Sequence, residues 1–181
     1  MTAIRAIKPG DRVFYPLQGA GIVKDLEMHE FSGRRRKYLS ITFPLNKLDI
    51  LIPQEHVAEL GIRPLSTPDV LDQSRARFFE EYKSLPQDPT KRRSLLQSKI
   101  KTGSLADEME LIRDLICSGK EPVRLSHHDR YILEVACRML ISEMMFVEDI
   151  SYDFAKQLVK EDMEIRLNGD EKYFFRYNAD L

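Results

Sequence analysis

The sequence predicts an α+β protein, with a small SH3-like or Tudor-like β-barrel in residues 1–64 and an all-α bundle of about five helices in residues 65–181. Three observations predict it. Up to Pro64, apolar residues come in short runs that alternate with polar ones, and beyond it they recur at a spacing near 3.6. Gly and Pro cut the first segment into about four or five such runs. Thr, Asp and Ser punctuate the second as helix N-caps do.

Residues 1–8 are a lead-in to the barrel. Val13 and Tyr15 then alternate with Arg12 and Phe14 as a short strand, which Pro16 stops. Gly19-Ala20-Gly21 precedes Ile22-Val23. Glycine reaches positive φ and lets backbones approach, so two strands can meet there at a tight corner. Residues 38–43 and 48–53 supply two further strands. Between the second and third strands, Ser32-Gly33 makes a turn beside Arg34, Arg35, Arg36 and Lys37. That charge is either a solvated hairpin or a contact to phosphate or an acidic partner.

Five helix starts follow. Thr67-Pro68-Asp69 pairs a cap with a first-turn proline and opens a helix to about Leu85. Asp88-Pro89 repeats the device and opens one to about Lys101, ended by Thr102-Gly103. Ser104 caps a third, with Leu105, Met109, Ile112, Leu115 and Ile116 on one face. Ser126 and Asp129 form a capping box for a long helix carrying Ile132, Val135, Ala136, Met139 and Leu140. Ser151 starts the last, with Phe154, Leu158 and Ile165 expected inward. The stretch 168–181, with Tyr173-Phe174-Phe175 and Tyr177, has no helix period. It is open to packing on the bundle, pairing as a strand, or disorder.

The chain has 181 residues, of which 43% are apolar, enough for a packed core. Lys+Arg 28 against Asp+Glu 29 excludes a broadly basic nucleic-acid binder but leaves room for local patches. Up to Pro64 there are 10 basic and 7 acidic residues, and beyond it 18 and 22, so neither part is a charged tail. Cys117 and Cys137 lack metal-ligand spacing and read as buried thiols in a reducing cytoplasm. The N-terminus has no secretion signal pattern, and no apolar run is long enough for a membrane span. A cytoplasmic protein without membrane contact is expected.

No catalytic constellation is present: there is no nucleophile elbow, Walker loop, HExxH or dinucleotide fingerprint, so neither an enzyme nor a cofactor is expected. Glu80-Glu81 and Glu108 with Glu110 fall where a helix faces water. His127-His128 has i, i+1 spacing rather than the i, i+4 of a metal pair and reads as a surface pair. The unusual stretch is Asp88-Pro89-Thr90-Lys91-Arg92-Arg93. Three cations in or just beyond a first helical turn oppose the helix dipole, at about 0.3–1 kcal/mol each on a surface. A phosphate docked on the free N–H groups of the helix end explains them, and a solvated helix that tolerates poor charge placement does so equally.

The order GDRVFYP, QGAGIV, YLSITF and ILIP, followed by Val57 and Gly61-Ile62-Arg63-Pro64, resembles the CarD/CdnL family of bacterial transcription regulators. The barrel is also similar to the polymerase-interaction module of transcription-repair coupling factors. The resemblance implies no enzyme but an accessory transcription factor, monomeric by default. Its barrel pairs by a strand edge with the β subunit of RNA polymerase, and its helical part holds promoter DNA at the upstream edge of the bubble. It places polymerase contacts on the strands around Met28-His29 and Ile50-Leu51, with His29 and Leu51 where family members often carry charge. It places backbone contacts to DNA at Lys91, Arg92 and Arg130, with Thr90 and the extra cation Arg93 counted in the same DNA-binding stretch, and puts Pro89 where the family has a minor-groove tryptophan. The chain contains no Trp. Proline can itself act as an apolar wedge between base steps. The competing reading is an adaptor whose barrel still docks on polymerase while an acidic helical face recruits a second protein.

Overall fold

The computed structural model describes residues 7–31, 33–119 and 125–167. The five strands are β1 (Arg12–Tyr15), β2 (Gly19–Phe31), β3 (Arg34–Phe43), β4 (Leu48–Pro53) and β5 (Arg63–Pro64). They form one antiparallel sheet in the order β4-β3-β2-β1-β5. The helices are α1 (Pro68–Phe78), α2 (Pro89–Lys101), α3 (Leu105–Ser118), α4 (His127–Glu148) and α5 (Tyr152–Arg166). The α+β class and its order of parts are as the sequence predicts.

Two apolar cores result. Val13, Val23, Leu39, Ile41, Phe43, Ile52 and Ile62 form the core of the sheet, and α3 and α4 supply most of the larger helical core. Strand β1 belongs to both. Val13 and Phe14 are each fully buried, Val13 in the sheet core and Phe14 in the helical one. The expected alternation of buried and solvated residues in this strand is therefore replaced by burial on both faces, because the helical bundle covers the outer one.

The glycine corner has a similar origin. Gly19 has φ +83°, and a Cβ there would lie 2.3 Å from Ser142 Oγ on α4. A Cβ on Gly21 would meet the Phe43 ring at 2.8 Å. Gly21 serves the sheet alone, whereas Gly19, paired with Tyr15 at the β1–β2 corner and in positive φ, turns the strand as expected and also leaves room for α4.

All five anticipated caps accept a backbone N–H: Thr67 from Val70, Asp88 from Lys91, Ser104 from Asp107, Ser126 from Asp129 and Ser151 from Phe154. Ser126 and Asp129 make the reciprocal capping box. Helix α1, however, stops at Phe78, about two turns before Leu85. Its last turn and the chain beyond it are held by distant side chains. Arg113 donates to the Arg77 carbonyl, Arg166 to those of Phe79 and Glu80, and Asp114 accepts from the Lys83 N–H. The inward face of α5 also differs from expectation. Ala155, Val159 and Met163 are buried, whereas Phe154 is 54% and Ile165 63% exposed and Leu158 is half-buried. Residues 168–181 lie outside the described residues. Among the described residues no helix is long and apolar enough to cross a membrane.

Candidate functional site

Helix α2 begins at Pro89 under the Asp88 cap, whose carboxylate accepts the Lys91 N–H at 2.8 Å. Pro89, Thr90, Lys91 and Arg93 are exposed. Arg92 is not. It shares a stripe with Leu96 and Ile100, the other buried residues of α2, and is only 5% exposed. Its Nη1 donates to the Pro86 carbonyl at 3.1 Å, and its Nε stands 3.1 Å from Asp129 Oδ2 as an ion pair, without an aligned hydrogen bond from Nε among the described residues. Asp129, 2% exposed, also accepts the Ser126 N–H at 2.8 Å, so one carboxylate closes the α4 cap and holds Arg92. The first turns of α2 and α4 are thereby locked side by side, and Arg130, next to Asp129, is exposed. Of the anticipated phosphate contacts, Thr90, Lys91, Arg93 and Arg130 face solvent. Arg92 is a strut beneath them, and its place on the Leu96-Ile100 stripe was the sequence signal for that.

Beside this tip, His127 is exposed and His128 half-buried with no partner for its Nε2 among the described residues. No group of three or more His, Cys, Asp or Glu that could hold a metal occurs among the described residues. Cys117 and Cys137 are free and buried, and burial pushes the Cys137 thiol up, away from the reactive thiolate.

On the sheet, among the described residues, β4 pairs only with β3, and β2 beyond Ile22 pairs with β3 while β1 reaches no further than Ile22. Both segments anticipated for polymerase docking thus carry a strand edge. Met28 is 52% and Leu51 43% exposed. His29 is half-buried, its Nε2 2.7 Å from Glu27 Oε2 and its ring edge-on to Tyr38 at 5.5 Å. Ile50 lies opposite Ile41 and packs against the sheet core, so it supports the edge from inside. In the neighbouring hairpin Arg36 is paired with Glu55 at 2.6 Å, while Arg34, Arg35 and Lys37 are exposed.

The two parts are joined by polar contacts that sequence reasoning missed. Arg63 on β5 makes a two-pronged pair with Glu143 on α4, Nη1–Oε1 2.7 Å and Nη2–Oε2 2.8 Å. Its Nε donates to the Gly103 carbonyl, and its guanidinium lies 4.3 Å from the Phe14 ring centre. Glu143 is wholly buried and also accepts the Ser66 N–H. The Ala20 N–H donates to Ser142 Oγ and Arg12 to the Phe146 carbonyl. Next to the clamp, Glu108, expected to face water, is 3% exposed with no partner for either oxygen among the described residues. Burial, and then the neighbouring Glu143, push its carboxyl well above the usual range against the opposing pull of Arg63.

A Tudor-like sheet clamped to a helical bundle, with strand edges on the sheet and exposed cations on a helix tip, defines a two-part α+β protein. Residues 7–66 match the family described as CarD-like/TRCF RID domain, and residues 76–160 the one described as CarD, C-terminal domain. A protein of Bacillus subtilis (strain 168), named "Putative transcription factor YdeB", is 31% identical over 144 residues, covering 78% of this chain and 92% of that protein. The chain belongs to the CarD family, a family of transcription regulators rather than of enzymes.

Proposed function

We propose that this protein is an accessory transcription regulator, without catalytic activity and acting as a monomer in the cytoplasm. It docks on the β subunit of RNA polymerase through residues 1–64 and rests the α2–α4 tip, within residues 65–181, on upstream promoter DNA at the bubble edge. The polymerase contact uses the strand edges at Met28-His29 and Ile50-Leu51, because a strand edge is a backbone template for an added strand.

One observation carries the DNA part. Lys91, Arg93 and Arg130 stand exposed on two adjoining helix starts that a buried ion pair holds together, although cations there oppose both helix dipoles. Phosphate supplies the missing negative charge, and backbone contacts of this kind position without reading sequence. Thr90 adds a hydroxyl donor. Pro89, exposed at the tip, is the apolar wedge, with less stacking surface than an indole. Few phosphates are engaged, so DNA alone is bound weakly and the polymerase selects the site.

The test is co-purification with RNA polymerase, followed by open-complex lifetime with and without the protein over a range of salt. The expected result is a changed lifetime, reverting when Lys91, Arg93 and Arg130 are replaced by alanine. The absence of Trp and the acidic excess beyond Pro64 favour the adaptor reading to a degree. A promoter crosslink from residues 88–93 supports the DNA reading, and crosslinks to protein alone support the adaptor.

A further inference from the structure

We propose that the chain's own C-terminal segment, residues 168–181, docks in the groove between α1 and α5, with its cluster of four aromatic side chains as the buried part. The groove has a volume of about 250 Å³, a floor from α3 and α4, and walls from α1 and α5. Its interior is apolar and rich in sulfur, with Leu71, Phe78, Met109, Met144, Leu158 and Met163. The walls are bridged by the two-pronged Arg75–Asp162 pair at 2.6 and 2.5 Å. At the rim Phe154 is 54% exposed, an expensive place for an aromatic ring unless something covers it.

The exit point of the chain favours this occupant. Helix α5 ends with Arg166 bonded to the Phe79 and Glu80 carbonyls and with Leu167 buried, so the chain leaves beside the end of α1, where both walls meet. Fourteen residues remain, and Tyr173, Phe174, Phe175 and Tyr177 follow the polar spacer 168–172. That spacer spans about 16 Å when extended, and the groove-lining part of α5 from Phe154 to Met163 rises about 14 Å, so the aromatic cluster reaches the groove by doubling back along α5.

The chemistry also matches. Thioethers pack well against aromatic rings, and the rim carboxylates of Asp72 and Glu148, without a salt bridge among the described residues, suit Lys172 and Arg176 of the segment. Tethering makes the effective concentration far higher than that of a free partner.

The experiment compares the full chain with its Phe174→Ala/Phe175→Ala variant, both labelled with 13C at the methionine methyls. Docking predicts that Met109, Met144 and Met163 lose ring-current shifts in the variant at every protein concentration. Met28 on the sheet and Met139 in the core should stay in place and report an intact fold. Coincident groove methyls in the two proteins overturn the proposal. So do wild-type shifts that move with protein concentration, which would assign the groove to a second copy.

Discussion

Arg92 and its two neighbours are all cations, yet alanine should affect them in opposite directions. Arg92→Ala leaves Asp129 buried with its ionic partner gone, a loss of about 3–5 kcal/mol in a urea melt for a pair this enclosed. Lys91→Ala or Arg93→Ala removes an exposed cation from the positive end of α2, so stability should hold or rise slightly while the open-complex effect falls. An equal stability loss at all three positions would mean that Arg92 is not the strut. Glu108 gives a second test at this scale. Its carboxyl keeps its proton in the folded chain to a higher pH than in the unfolded one. The unfolded state therefore binds fewer protons between its own pKa, about 4.3, and the raised folded value, and stability falls with rising pH across that window by at most about 1.4 kcal/mol per pH unit. Glu108→Gln cannot ionise. Denaturation midpoints at pH 5 and pH 8 should show the variant gaining on the wild type at the higher pH, and a constant difference would refute the reading.

At the scale of elements, what was legible in the sequence is what is encoded locally. The five caps were found because a cap is a side chain bonded three residues ahead, and the start of each helix followed. The end of α1 was missed because its last carbonyls are taken by Arg113 and Arg166, 36 and 87 residues away from their acceptors Arg77 and Phe79. The inward face of α5 was misread because its large apolar residues, Phe154 and Ile165, drew attention from the smaller stripe through Ala155 and Val159. In the candidate site the exposed cations were legible, while the strut among them showed only through its place on the Leu96-Ile100 stripe, since the Asp129 that draws it in lies on another helix. The strand edges make a prediction of the same order. Met28→Glu and Leu51→Glu alter exposed side chains and should weaken capture of RNA polymerase in a pull-down while leaving the melting temperature within a degree or two. Ile52→Ala should instead destabilise by about 2–5 kcal/mol, because Ile52 lies in the sheet core.

For the whole molecule, the bridge between polymerase and DNA that we propose needs the two contact surfaces held at a fixed angle, and the contacts at the junction suit that. Phe14 of the sheet is sunk in the helical core, Gly19 lets β2 close on Ser142, and Arg63 ties β5 to Glu143 under the Phe14 ring. Neither Arg63 nor Glu143 belongs to a proposed contact surface, so changing them separates geometry from contact. Arg63→Ala leaves the Glu143 carboxylate buried without its partner and should cost about 3–5 kcal/mol. Arg63→Met with Glu143→Leu removes both charges, and much of that stability should return, because a buried ion pair replaced by apolar residues of similar volume is often neutral. If the angle matters, the double variant, folded and still retained by RNA polymerase, should show a shortened effect on open-complex lifetime. Restoration of the full effect together with stability would mean that the clamp only holds the fold together and that shape packing at Phe14 and Gly19 suffices to set the angle.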